Sequence, residues 1–254
     1  MRGLSYLRRL IGTGLSFVIF GLGGVILPII AVPILLATTR DKVVRERRAQ
    51  RVIHHSFRVF VEIMRIIGIL TYQIEGAEKL RSAQLILANH PTLLDVVFLI
   101  SMVPNANCVV KGNLARNLFT RGPIKTAGYI INDEASDIIT GASDAFAKGQ
   151  ALIIFPEGTR TTASQPIELK RGAGNIAVRA NADITPIIID CTPLALTKQA
   201  PWYKVPVRAM HFTIQVRDVI KVSPYICNIQ PSRGSRMLTR DLSQYFNEEY
   251  KPHE

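Results

Sequence analysis

Leu85-Ile86-Leu87-Ala88-Asn89-His90-Pro91-Thr92-Leu93-Leu94-Asp95 is the stretch from which the fold is read. Four apolar residues in a row, without alternation, match a strand buried on both faces. Such strands belong to parallel sheets covered by helices. Pro91 suits the first position of a helix, where its missing N–H costs nothing. His90 is therefore expected at the carboxyl end of a strand, where a helix begins. In open α/β sheets ligands bind along that edge. Asp95 lies about one and a half helical turns further on and can fold back toward the imidazole. A carboxylate on one ring nitrogen fixes the tautomer and leaves the other nitrogen free to take a proton. Taken alone, a histidine five residues before an aspartate also fits a helix cap beside an unrelated acid. The strand-end position is what favours chemistry.

A second stretch has the same design. The apolar run Ala151-Leu152-Ile153-Ile154 leads into Phe155-Pro156-Glu157-Gly158-Thr159-Arg160. An acid, a hydroxyl and an arginine around a glycine suit an anion-binding turn, because arginine grips phosphate in a bidentate fork. The same residues also suit a surface turn with an ion pair. Outward from these two stretches, short apolar runs alternate with helical patterns. Strands are expected at 72–75, 85–88, 108–111, 129–132, 151–155, 184–189 and 212–216. Helices are expected at 92–102, 113–119, 134–148, 173–180 and 236–250. The fold class is α/β, a mostly parallel central sheet flanked by helices. The polar stretch 161–168 reads as a mobile loop. Three segments follow: 1–70 as an N-terminal anchoring segment, 71–222 as the catalytic domain and 223–254 as a C-terminal helical tail.

The N-terminal segment carries no charged residue from Leu10 to Thr39, a run of 30 positions. About 20 suffice to span a bilayer as a helix. A signal-peptide core is shorter, about 7–15 residues. Gly12, Gly14, Gly21, Gly23 and Gly24 are followed by Pro28 and Pro33, so two geometries are open: one kinked span, or a re-entrant hairpin turning near the glycines. The span is favoured, with the bulk of the protein on the cytoplasmic side. Residues 52–67 form a further helical pattern with Arg58 and Arg65 among apolar positions. It suits either the membrane interface or ordinary packing on the catalytic domain. His54 and His55 are adjacent, so they do not share a helix face as a metal site would require.

The chain has 254 residues and a net charge of +12. Nine of its basic residues and only two of its acidic ones fall in the first 51 positions, beside the apolar run. That placement points to an anionic membrane surface and away from nucleic acid, which would need a basic groove. Cys108, Cys191 and Cys227 are scattered, with no Cys-x-x-Cys pair, so a zinc site or a disulfide framework is not expected. Gly172-Ala173-Gly174-Asn175-Ile176-Ala177 matches a dinucleotide fingerprint but lacks the preceding apolar strand. Trp202 and Tyr203 stand in a loop bounded by Pro201 and Pro206, where plain packing is the expected role.

Together, Asn89-His90 with Asp95, followed 67 positions after the histidine by the glutamate of Phe155-Pro156-Glu157-Gly158-Thr159-Arg160, resemble the glycerolipid acyltransferases. These include the 1-acylglycerol-3-phosphate acyltransferases. Lys170-Arg171-Gly172-Ala173 and Ile184-Thr185-Pro186-Ile187 resemble two further motifs of that family, and the resemblance runs from about 76 to 189. It implies that His90 deprotonates an acceptor hydroxyl, which attacks the thioester of an acyl donor, and that Asp95 orients His90. No covalent acyl-enzyme, metal or bound cofactor is implied. Acyl-CoA or acyl-acyl carrier protein is the co-substrate, and the acidic carrier suits a basic enzyme. Asn89, Glu157, Gly158, Thr159 and Arg160 are implied at the acceptor, with Arg160 on its phosphate.

One departure stands out. The family's second motif ends in Asp-Arg, whereas this chain has Asp133-Glu134. Either Lys111 or Arg121 replaces the missing arginine, or the acceptor lacks a terminal phosphomonoester. The expected acceptor is therefore lysophosphatidate-like or glycerol-headed. Cys108-Val109-Val110-Lys111 and Trp202-Tyr203 also resemble acyltransferases of bacterial aryl polyene pathways. The rival reading is a catalytically silent, membrane-anchored binding protein on the same fold, against which the presence of both His90 and Asp95 speaks. Nothing in the sequence bears on oligomeric state.

Overall fold

The computed structural model describes residues 2–116, 120–132, 135–162 and 165–251. Seven strands among them form one sheet. In chain order they are β1 Leu70–Glu75, β2 Leu85–Ala88, β3 Ala106–Lys111, β4 Ile130–Asn132, β5 Ala151–Ile154, β6 Ile184–Thr192 and β7 Met210–Val216. Across the sheet the order is β1-β7-β6-β2-β5-β3-β4. The block from β6 to β4 is parallel throughout. β7 runs antiparallel to β6, and β1 parallel to β7. The sheet is thus mostly parallel, as the apolar runs implied.

β2 lies at its centre, and all four of its side chains are completely buried. Strand pleating sends Ile86 and Ala88 to one face and Leu85 and Leu87 to the other. The first face is covered by Phe60, Val61 and Met64 of α2 (Lys42–Ile67) and by Phe98 and Leu99 of α3 (Asp95–Met102). The second is covered by Ile176 and Ala177 of α7 (Arg171–Arg179) and by Leu238, Leu242 and Phe246 of α8 (Pro231–Glu249). Burying one such side chain contributes about 1.5–3 kcal/mol, so the two layers fix β2 firmly in place.

α1 is a single helix, Arg2–Thr38, with Pro28 and Pro33 inside it. The chain does not turn back at the glycines, so the hairpin geometry is not the one adopted. Ser5–Thr38 is long and apolar enough to cross a membrane, its most apolar window reaching a mean hydropathy of 2.6, and residues 17–34 include no buried side chain. α2 starts at Lys42, ten residues before the expected helix, capped by Asp41, whose carboxylate accepts the Val44 N–H. Its apolar face packs on the sheet layer, the second of the two readings of that segment.

The remaining α-helices among the described residues are α4 Gly112–Arg116, α5 Arg121–Ala127 and α6 Ala135–Ala147. α5 was not expected from the sequence. The helix expected from 92 begins only at Asp95, for a reason given below. The stretch 161–168 is not a free loop at its ends. Thr161 and Ile167 are both buried, and the Ile167 backbone is bonded in both directions by the Asn247 side chain.

Candidate active site

β2 and β5 are parallel neighbours, with Leu87 opposite Ile154. The two chemically loaded stretches therefore leave the sheet side by side at one carboxyl edge. Asn89 remains completely buried. Its Nδ2 donates to the Ile189 carbonyl at 2.8 Å, and its Oδ1 accepts the Ile189 N–H at 2.7 Å. This pins the end of β2 to β6.

His90 comes next. Its Nδ1 lies 2.8 Å from Asp95 Oδ2. The Asp95 carboxylate is completely buried, whereas the imidazole is 18% exposed. Thr92 N–H donates to the same Oδ2 at 2.7 Å, and Thr92 Oγ1 donates to Oδ1 at 2.6 Å. Asp95 thus closes a turn on Thr92 rather than lying inside a helix begun at Pro91. That turn delays α3 and brings the carboxylate back to the ring. Burial raises the Asp95 pKa, against the opposing pull of its bonds with His90 and Thr92. With Oδ2 accepting, Nδ1 carries the proton and Nε2 keeps a lone pair. The ring stacks on Phe155, centroids 4.2 Å apart, which limits its rotation.

The backbone of His90 is held from β5. Its N–H donates to Glu157 Oε1 at 3.1 Å and to Thr161 Oγ1 at 2.8 Å. Thr161 in turn donates its hydroxyl proton to Glu157 Oε1 at 2.6 Å, and its N–H to the His90 carbonyl at 2.7 Å. Glu157 is buried and aims inward at the His90 backbone. Desolvation raises its pKa, and the bonds from Thr161 and His90 pull the other way. Gly158 adopts a left-handed φ of +67°, which glycine takes without strain, and a Cβ there would come within 2.8 Å of the movable Lys170 amine.

Arg160 donates from Nη1 to the Leu196 carbonyl at 3.1 Å, the same oxygen that accepts the Leu93 N–H. Thr159 is exposed, and its Oγ1 accepts from Lys198 Nζ at 3.1 Å. Lys111 ends β3, at the same sheet edge but two strands away from β2. Arg121 opens α5 and is exposed, and among the described residues no bond ties it to the His90 cluster. Asp133 and Glu134 lie outside the described residues. Three participants escaped the sequence reading: Thr161, Leu196 and Lys198. For Thr161 the only signal was a hydroxyl four residues after Glu157. No cluster of His, Cys, Asp and Glu suited to a metal occurs among the described residues. Cys108 and Cys191 are buried free thiols, both pushed up to about 12 by burial, and Cys227 is exposed.

Residues 71–190, which carry the strand-end histidine and the residues that brace it from the neighbouring strand, match the family model described as Acyltransferase. Over that stretch the chain is similar to the Acyltransferase family. Among curated relatives it is 25% identical over 163 residues to a 1-acyl-sn-glycerol-3-phosphate acyltransferase of Cocos nucifera, covering 60% of this chain and 50% of that protein. The protein of the same name from Helicobacter pylori is 28% identical over 114 residues, 42% of this chain and 48% of its own length. The one from Saccharomyces cerevisiae is 27% identical over 146 residues, 53% and 48% respectively. The chain spans about half the length of the curated relatives it matches. Its fold is that of the 1-acyl-sn-glycerophosphate (LPA) acyltransferase PlsC from Thermotoga maritima. The TM-score is 0.70 at 16% identity, over 97% of this chain and 99% of the other.

Proposed function

We propose that the protein transfers a fatty acyl group from acyl-CoA or acyl-acyl carrier protein to the hydroxyl of a lysophosphatidate-like or glycerol-headed acceptor. The observation that carries this reading is the His90–Asp95 pair, with Nδ1 committed to a buried carboxylate and the ring edge open to solvent. Nε2 takes the proton of the acceptor hydroxyl as its oxygen attacks the thioester carbonyl. The tetrahedral intermediate collapses, the carbon–sulfur bond breaks, and the imidazolium returns the proton to the leaving thiolate. Asp95 stabilises the imidazolium in between. Asn89, Glu157 and Thr161 hold His90 in place, while Thr159 and Arg160 face the acceptor, with Lys111 and Arg121 as further contributors at the same edge.

In this reading α1 holds the enzyme in a bilayer with the catalytic domain on the cytoplasmic face, close to a lipid acceptor. Residues 1–70 then serve as the anchoring segment, 71–222 as the acyltransferase domain and 223–254 as a C-terminal extension. The test is thiol release from acyl-CoA by the purified full chain, with and without lysolipid, beside His90→Ala. General base catalysis contributes roughly 10²–10⁴-fold, and the variant is expected to lose that much. Lysolipid-dependent turnover that survives in His90→Ala contradicts the mechanism. No turnover by the unsubstituted chain with any lysolipid, on acyl-CoA and on acyl-acyl carrier protein alike, favours the silent binding protein instead.

A further inference from the structure

The turn after β5 gathers positive charge from three separate segments. Arg160 belongs to the turn itself. Lys170, at the start of α7, lies so close to Gly158 that a Cβ there would come within 2.8 Å of its Nζ. Lys198 reaches in from the segment after β6 and bonds Thr159 at 3.1 Å. Among the described residues none of the three is in an ion pair. The acid of the turn, Glu157, points inward, its Oε1 receiving the His90 N–H and the Thr161 hydroxyl, and among the described residues it forms no ion pair with any of the three. Like charges gathered in this way repel one another, and an anion seated among them relieves that repulsion.

Lys198 is not there by the accident of a loose loop. Two residues earlier, Leu196 is held at a φ of +54°, the left-handed region that a leucine seldom occupies. Strain of this kind persists where the surroundings over-determine a residue. Here the Leu196 carbonyl accepts at once from Leu93, three residues past His90, and from Arg160. The segment is thereby fixed to both halves of the site and presents Lys198, exposed to solvent, against Thr159, the residue before Arg160. It also lies beyond residue 190, where the match to the family model ends.

We infer that Lys198 is a phosphate-binding, specificity-determining residue, clamping with Arg160 a phosphate ester carried by a substrate of the proposed acyl transfer. Arg160 spends one of its five N–H donors on Leu196, and Lys198 one of three on Thr159, so both retain donors for phosphate oxygens. The clamp rests on the acyl-transfer reading above. The phosphate ester is that of the acceptor headgroup or that of the donor's carrier portion.

The experiment measures kcat and KM for the full chain, Lys198→Ala and Lys198→Arg. The acceptor pair is lysophosphatidate and monoacylglycerol, which lacks the phosphate. The donor pair is acyl-CoA and the acyl thioester of N-acetylcysteamine, which is also phosphate-free. Lys198→Ala is expected to lower the preference for the phosphate-bearing member of one pair about 10- to 100-fold, through KM, and Lys198→Arg to restore most of it. The pair that responds names the source of the phosphate. Unchanged preference on both pairs overturns the clamp while leaving acyl transfer intact. An equal loss of kcat on every substrate overturns it too, since it marks a merely structural lysine. Absence of transfer by the unsubstituted chain removes the acyl-transfer reading and the clamp together.

Discussion

Asp95→Asn separates two roles that a carboxylate plays beside a catalytic histidine: choosing the tautomer and supplying charge. The amide has one acceptor oxygen. Placed at the Oδ1 position, that oxygen would leave the NH₂ group facing the Thr92 N–H at 2.7 Å, donor against donor. The oxygen must therefore occupy the Oδ2 position, where it still accepts from Thr92 N–H and from His90 Nδ1. The NH₂ group then faces Thr92 Oγ1, which turns its own proton away and accepts. Both bonds to the Oδ2 position survive and Nε2 remains the base, while the buried Thr92 hydroxyl exchanges its donated bond for an accepted one. Only the negative charge beside the imidazolium is lost. A hydrogen bond to a charged group contributes about 1.5–3 kcal/mol, so kcat is expected to fall roughly 10- to 150-fold. Asp95→Ala, in contrast, strands the Thr92 N–H, the Thr92 hydroxyl and Nδ1, and is expected to match the loss in His90→Ala. Steady-state thiol release with saturating lysolipid measures all three variants. If Asp95→Asn is as inactive as His90→Ala, Thr92 does not govern the tautomer. If it stays within about threefold of the unsubstituted enzyme, the buried charge does not assist the transfer.

Thr161→Val preserves shape but removes the hydroxyl that accepts from His90 N–H and donates to Glu157. We expect a stability loss of about 1–3 kcal/mol, read as a lower thermal midpoint, and a kcat/KM drop exceeding about tenfold as His90 drifts. A normal rate would show that Glu157 alone suffices. Glu157 has a folded pKa raised by burial, so its contribution to stability is whole below the unfolded carboxyl value of about 4.3 and is lost as pH rises through the folded value. Glu157→Gln does not ionise and keeps an acceptor oxygen. Relative to the natural chain it should gain stability as pH rises above about 4.3 in urea titrations, and a difference independent of pH would contradict the assigned burial. Finally, the full chain should stay with the membrane pellet after a wash in 1 M salt, because salt screens surface charge but not inserted apolar surface. Its release into the supernatant would mean that α1 is not embedded.

The central strands were legible because burial on both faces writes itself as an unbroken apolar run, as in Leu85–Ala88. The His90–Asp95 pair was legible because five residues of chain suffice to bring the two together. Thr161 was not, since its partner His90 lies 71 positions away and a bond of that range leaves no period in the sequence. Its polar neighbours suggested only a loop. α5 was missed because it has seven residues, with Gly122 and Pro123 in its first turn, where neither spoils the helix but both weaken its signal. The start of α3 was set three residues early because a side-chain turn from Asp95 to Thr92 competes with helix over that interval. Lys198 was invisible for another reason: a leucine at positive φ carries no mark in the sequence of the strain imposed on it.

The reciprocal amide bonds of Asn89 have a consequence for how the site is opened. A primary amide carries the same donor and acceptor as a peptide group. By exchanging both with Ile189, the Asn89 side chain stands in for one more residue of β2 in the ladder with β6. The main chain is thereby released from its strand while the ladder beside it remains closed, and the His90 N–H turns to β5's side of the sheet instead of to β6. Aspartate in this place would offer two acceptors and no donor, glutamine would overreach by a methylene, and alanine would leave the rung empty. Position 89 is therefore a splice, where a side chain impersonates backbone so that the backbone can leave.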